Sequence, residues 1–242
     1  MYSIVSCCPN QIEARQGLQK HHFSDNVQTA MEPRLSHLIE VLRSNNISAC
    51  YVGNRHQACA EVKALIPEGS VVGFGDSLTL RQIGVVQMLE SGNYTFLNPW
   101  KPGTSTAESL RLKRRALTSD VFVTGTNAVT LGGQLVNVDG HGNRAAAMLF
   151  GPEKVVIVVG INKIVSNLKE AFDRIRRIAA PRNVSRHPEF HPPPPCAASG
   201  ECSDCTAAWR ICNKTVIIQR QYANDRYHPV LSLVLVGEAL GL

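Results

Sequence analysis

An α/β domain with a mostly parallel sheet in three layers is what this chain's pattern predicts, on three observations. Short β-branched runs alternate with segments of helical apolar spacing, and glycine- and hydroxyl-rich loops follow several of the strand-like runs. Hydrophobic residues make up 44% and charged residues 18% of the 242 residues, which is the composition of an ordinary folded chain. Strands that alternate with helices of this length imply right-handed crossovers and a sheet covered on both faces. A chain this long buries enough surface for one large domain, so a second is not required.

The elements follow in order. Residues 1–30 carry Cys7, Cys8, Gly17, His21 and His22 without periodicity and read as an N-terminal extension. Residues 31–181 form the α/β core. From Pro33, Leu35, Leu38, Ile39, Val41 and Leu42 recur at helical spacing, and Ile47–Val52 reads as a short buried strand. The alternation continues with a helix over Gln57–Leu65, a strand at Val71–Phe74, a helix over Leu78–Leu89, a strand at Tyr94–Leu97, a helix over Ser105–Leu117 and a strand at Val121–Thr124. Gln134–Val138 is strand-like, and Ala145–Phe150 begins a helix. Lys154–Val159 is short, apolar and β-branched, as suits a central strand. The helix over Val165–Ile178 is expected to stop at Pro181.

Residues 182–195 change to His, Pro and polar residues, with Pro192–Pro195 unbroken, and read as an extended linker. Residues 196–242 then hold a cysteine-rich loop and two strands, Thr215–Gln219 and Val230–Val236, expected to return to cover or extend the main sheet within the same domain.

The net charge of +6 sits partly in two clusters, Arg111–Arg115 and Arg174–Arg177. Aromatics are only 6% and both clusters fall on helical patterns, so solvated faces explain them better than nucleic-acid binding. Small anionic metabolites remain suitable partners. No run of about 18 apolar residues is present, which excludes a membrane-spanning helix, and the first residues lack the order of a secretory signal. A cytoplasmic location follows, where thiols stay reduced. The sequence leaves a homo-oligomer open.

Three loops could hold an anion. Gly73-Phe74-Gly75-Asp76-Ser77-Leu78-Thr79 sets two glycines at a strand end and hydroxyls where a helix starts; the other reading is a tight turn with Asp76 or Ser77 as its cap. Thr124-Gly125-Thr126-Asn127 follows another strand, and Asn137, Asp139, Gly140, His141, Asn143 and Arg144 cluster beyond the next. Ligands in open α/β sheets lie past the carboxyl ends of strands, although turn and cap chemistry uses the same residue types. Asp139 and His141 are the candidates for proton transfer, Arg144 and Lys163 for holding a carboxylate or phosphate. The remaining histidines, His187 among them, receive no role. Gly73-Phe74-Gly75 lacks the third glycine of a dinucleotide fingerprint, so no nucleotide cofactor is expected.

Cys196, Cys202, Cys205 and Cys212 are spaced C-x5-C-x2-C-x6-C on a loop that includes Gly200, Ser203 and Asp204. Four thiolates on a flexible loop suit a [4Fe–4S] cluster, or zinc, which accepts the same ligands; uncommitted thiols and structural disulfides are the other readings. Arg210 and Lys214 lie close by and can offset the thiolate charge.

Gly73-Phe74-Gly75-Asp76-Ser77-Leu78-Thr79-Leu80-Arg81, Thr124-Gly125-Thr126-Asn127-Ala128, Gly133-Gln134-Leu135-Val136-Asn137-Val138-Asp139-Gly140, Gly142-Asn143-Arg144 and Gly160-Ile161-Asn162-Lys163 together resemble the lactate-utilisation or LUD-domain family, from about Met31 to Leu242. The cysteine run resembles that of a short, single-domain branch. The resemblance implies a fold similar to ribose-phosphate isomerases and CoA transferases, with anion binding on Gly73, Gly75, Ser77 and Thr79. Isomerase chemistry in that wider group draws on an acidic residue that Thr124–Asn127 lacks. The family implies a part in oxidising lactate or a related organic acid through an iron–sulfur system with a redox partner protein. The alternative is a non-redox transferase, isomerase or ligand-binding protein whose metal loop braces the C-terminal strands.

Overall fold

The computed structural model describes residues 32–187, 189–222 and 230–242, so the expected extension with Cys7 and Cys8 lies outside the described residues. The chain begins with α1 (Pro33–Ser44), β1 (Ser48–Val52), α2 (Arg55–Ala64), β2 (Val71–Phe74), α3 (Leu78–Gln82), α4 (Val85–Ser91), β3 (Thr95–Leu97) and α5 (Thr106–Arg115). It continues through β4 (Val121–Gly125), β5 (Ala128–Thr130), β6 (Leu135–Asp139), α6 (Asn143–Leu149), β7 (Lys154–Gly160), β8 (Ile164–Val165), α7 (Leu168–Arg174) and α8 (Ala180–Val184). A short α9 (Cys196–Ser199), β9 (Lys214–Ile218) and β10 (Val230–Val236) complete it.

Six strands form a fully parallel sheet in the order β1-β10-β7-β4-β2-β3. Its inner strands are buried on both faces, which their continuous β-branched sequences require: every residue of β7 after Lys154 is buried. One face packs on Leu35, Leu38, Ile39 and Leu42 of α1 and on Ala147 and Met148 of α6. The other packs on Ala58 and Val62 of α2, Leu80 of α3 and Val85, Val86 and Leu89 of α4. Leu38 and Leu42 are fully enclosed. Truncating either to alanine removes about 2–5 kcal/mol of stability.

A second sheet, β8-β5-β6-β9, was not expected from the pattern. It mixes parallel and antiparallel pairs and packs under α7 through Ala128, Val136, Ala171 and Ile175. The two C-terminal strands therefore part company. β10 extends the main sheet by inserting between β1 and β7, whereas β9 pairs with β6 in the second sheet, where its Ile218 joins the core cluster on one face of the main sheet.

Two helix boundaries also differ. The helix expected over Leu78–Leu89 breaks at Gly84, whose φ of 83° lies in the left-handed region that favours glycine. Pro181 does not end the helix that begins at Leu168. A π-helical turn over Ile175–Ala179 precedes it, with the Ala180 amide donating to the Ile175 carbonyl, and helix resumes over Ala180–Val184. The widened turn accommodates a residue that lacks an amide proton and would otherwise press on the carbonyl four residues back. The linker expected over residues 182–195 accordingly starts as helix. Among the described residues no helix is long and apolar enough to cross a membrane.

Candidate functional site

The carboxyl ends of β2, β4 and β7 open into one cleft of about 970 Å³. This is the position that parallel sheets reserve for ligands. Strand β2 runs into Gly75-Asp76-Ser77, β4 into Gly125-Thr126-Asn127 and β7 into the short turn that ends at Lys163, and all of these line the cleft. Asp139, Gly140, His141, Asn143 and Arg144, which join β6 to α6, close one side. Four other expected residues, Gly73, Thr79, Thr124 and Asn137, are buried and lie behind the surface.

The glycines are explained by loop packing. A Cβ on Gly75 would stand 2.5 Å from Thr124 Oγ1, and one on Gly125 would stand 2.8 Å from Ser77 Oγ, so the loops after β2 and β4 interlock at two points that exclude side chains. Gly73 faces the core, where a Cβ would meet the Phe122 ring at 2.8 Å. Ser77 caps α3 by accepting from the Leu80 amide, which is the turn-and-cap reading of that motif. Asp76, at φ 40°, lies beside Arg81 at 3.2 Å, Arg186 at 3.6 Å and His187 at 3.7 Å, and so ties the glycine loop to the chain after α8.

Arg144 braces the wall. Its Nε donates to Asp139 Oδ1, Nη1 to Gly125 O and Asn137 Oδ1, and Nη2 to Asn127 Oδ1 and Val138 O. Those contacts use all five donors of a guanidinium, which leaves none for a ligand. Asp139 is equally engaged, since its Oδ2 accepts from the Ala145 amide at 2.7 Å. Of the two expected proton-transfer groups, His141 is the one that makes no hydrogen bond among the described residues, and burial together with Lys113 and Lys214 holds its pKa below the usual histidine value. Asn137 Nδ2 is buried without a hydrogen-bond partner.

Lys163 is the opposite of Arg144. It is 5% exposed, and its Nζ donates to the Thr79 hydroxyl at 3.0 Å. No carboxylate lies within ion-pairing distance of it among the described residues. Burial first, then the positive charges of Arg174 and Arg144, lower its pKa to about 7. Arg174 was read from sequence as part of a solvated cluster. It is buried, and donates to the carbonyls of Asn162 and Asn127.

Several lining residues escaped the sequence reading. Lys113 sits in the basic run of α5, yet its Nζ lies 5.3 Å from the Trp100 ring centroid and it borders the cleft. Trp100 and Lys101 follow β3, so the strand-end rule could have found them. His187, Phe190 and Trp209 stack in series, with centroids 5.0 Å and 5.6 Å apart, and no local signal announces that contact. Trp209 Nε1 donates to the His191 carbonyl.

Through Trp209, Arg210 and Ile211 the cysteine loop forms part of the cleft's rim. Arg210 gathers that loop, donating to Cys205 O at 2.6 Å, to Asp204 Oδ1 at 3.0 Å and to Cys212 Sγ at 3.2 Å. The Asp204 amide faces Cys202 Sγ at 3.4 Å. Burial first, then the charges of Cys202, Cys205 and Cys212, raise the Cys196 pKa. All four are free, and no three His, Cys, Asp or Glu side chains among the described residues are grouped closely enough to hold a metal ion. Four free thiols are the donor type that a thiolate-bound centre uses, but the loop is not closed around one.

A DUF162 family protein from Deinococcus radiodurans is similar in structure at 15% identity and a TM-score of 0.47, over 84% of this chain and 95% of that one. Ribose 5-phosphate isomerase A from Neisseria gonorrhoeae is similar at 16% identity and a TM-score of 0.32, over 55% of this chain and 62% of that one. No curated protein matches the chain. The family model described as the LUD domain matches residues 35–231, a span that takes in five of the six strands of the parallel sheet, most of the cleft lining and the cysteine loop, and the chain belongs to the LUD-domain family.

Proposed function

We propose that the chain binds a small organic acid anion in the cleft, as a component of lactate or related organic-acid redox metabolism. One observation carries the reading: Lys163 is a buried cation on the cleft floor with a hydroxyl partner and no carboxylate. A buried ammonium without a counter-ion is costly, and an anionic ligand relieves that cost. Lys101, Lys113 and Arg186 on the same cleft add to the attraction. Family membership supports a link to lactate utilisation at the level of the family.

For a 2-hydroxy acid, His141 is the group suited to accept the hydroxyl proton, because its lowered pKa keeps the ring neutral near pH 7. Asp139 and Arg144 position the loop that carries it. Cys196, Cys202, Cys205 and Cys212 would hold a [4Fe–4S] cluster, which supplies one-electron transfer when bound. Arg210, which donates to Cys212 Sγ at 3.2 Å, would offset part of the negative charge of that centre.

The test has two arms. Calorimetric titration with lactate and pyruvate should give binding to the native chain and none to Lys163→Met; equal binding by both removes the reading. Anaerobic purification should give a coloured protein with iron and sulfide, whereas a colourless protein with stoichiometric zinc assigns the cysteine loop a bracing role.

A further inference from the structure

We propose that Lys163 is a nucleophile, and that it joins a 2-oxo acid covalently as a Schiff base on the cleft floor. The proposal rests on the anion-binding reading above and names the chemical class of one ligand. A lysine can serve as counter-ion only when protonated and as nucleophile only when neutral.

The surroundings of Lys163 admit both states near neutral pH, the cation that attracts the acid and the free amine that attacks it. Its turn follows the last residue of β7 and is fixed from several sides: the Ile161 amide donates to Glu238 O, Asn162 O accepts from Arg174, and Asn162 Oδ1 accepts from the Leu240 amide. The amine is thus held in place by backbone that cannot drift. Arg174 and Arg144 stand near enough for their charge to disfavour protonation of Lys163. Arg144 has no donor left over and Arg174 does not line the cleft, so they act as fixed charges that do not compete for the ligand. With a pKa lowered to about 7, a large share of the amine is neutral at physiological pH. Thr79 Oγ1, at 3.0 Å, orients it.

The step balances without an outside oxidant or reductant. The amine lone pair adds to the carbonyl carbon and the carbonyl π pair moves to oxygen. That oxygen takes up a proton and the nitrogen gives one up. A second protonation expels the oxygen as water while the nitrogen lone pair closes the C=N bond. His141 lines the same cleft and can carry the protons. Lys101, Lys113 and Arg186 remain for the carboxylate that Lys163 no longer neutralises.

The experiment is reductive trapping. The full chain is incubated near pH 7 with pyruvate and cyanoborohydride, then analysed by intact mass and peptide mapping. A single adduct on Lys163 is expected, blocked by excess lactate, which has no carbonyl, and reduced to background in both Lys163→Met and Lys163→Arg. Lys163→Arg keeps the charge, so it should retain anion binding while losing the adduct; thermal melting confirms that each variant is folded. Pyruvate that binds by calorimetry yet leaves no adduct overturns the nucleophile and spares the anion site. Adducts scattered over surface lysines and insensitive to lactate overturn it as well. If neither acid binds, both readings fall.

Discussion

The two walls of the cleft are built on different physics. On the strand-end wall, β2, β4 and β7 deliver their loops from a parallel sheet buried on both faces, and Arg144 ties the end of β4 and the loop after it to β6 with five hydrogen bonds. The opposite wall, from His187 to Asn213, has one short helix, α9, and hangs on an aromatic stack and the contacts of Arg210. The first wall is rigid because its polar groups are paired inside a packed core. The second is held by more exposed contacts, each worth little, which makes it the wall that opens first.

The contrast breaks first at Arg144. Arg144→Ala removes the cation paired with the Asp139 carboxylate and one donor from each of four other acceptors in a largely buried setting. A loss of about 3–5 kcal/mol is expected, read as the shift in a urea unfolding midpoint. A loss below about 1 kcal/mol would mean that the wall is not braced as described.

Lys163 sharpens the same wall through pH. Its folded pKa of about 7 lies below the ordinary 10.5, so between those values the unfolded chain binds the additional proton. The penalty of burying the charge is fully present below pH 7 and fades as pH rises toward 10.5. Stability of the ligand-free protein should therefore climb by up to about 1.4 kcal/mol per pH unit in that window, and Lys163→Met should flatten the rise. Affinity for a carboxylate should run the other way and fall above pH 7, since the protonated form holds the anion.

Gly75→Ala asks whether the loops after β2 and β4 interlock as tightly as the geometry says. The new methyl meets Thr124 Oγ1 at 2.5 Å and Thr124 Cβ at 2.9 Å, with no route of escape in a buried strand end. Overpacking of this kind costs about 1–3 kcal/mol, and thermal melting should show it. Ligand binding should weaken along with it, because Lys163 and Ser77 share that floor.

The two walls also differ in how far sequence discloses them. The β-branched run of β7 and the glycine loops mark the strand-end wall, because alternation and strand-end position follow from local chemistry. Lys163 was visible as a residue, yet its burial beside Arg174 was not: that depends on α7 folding back over β5, a contact no local pattern encodes. Arg144 read as a ligand clamp because a lone arginine beside small polar residues resembles one. Only the positions of its acceptors on β4, β6 and the loops beyond them show that its donors are taken. The second sheet went unseen because β5 has three residues and β8 two, too short for a period to register. On the other wall, His187 was left without a role, and its stack with Phe190 and Trp209 joins residues across the proline-rich stretch, where sequence separation hides the contact.

The smallest effect on stability belongs to Arg210. Its partner Asp204 is 70% exposed, and the guanidinium's other contacts lie on a loop outside the core, so Arg210→Ala should cost under about 1 kcal/mol. Its effect on the loop should be larger than that figure suggests. The same side chain holds the Cys205 carbonyl and the Cys212 sulfur, and its charge opposes that of the thiolates. If the loop closes on a metal, Arg210→Ala should lower the metal content of the purified chain severalfold at unchanged unfolding midpoint. Arg210→Lys should recover part of it, since charge returns while the fork that bridges carbonyl and sulfur does not. Metal content that is indifferent to both changes would show that the loop does not need its arginine to assemble, and the second wall would then be held chiefly by the stack of Phe190 on Trp209.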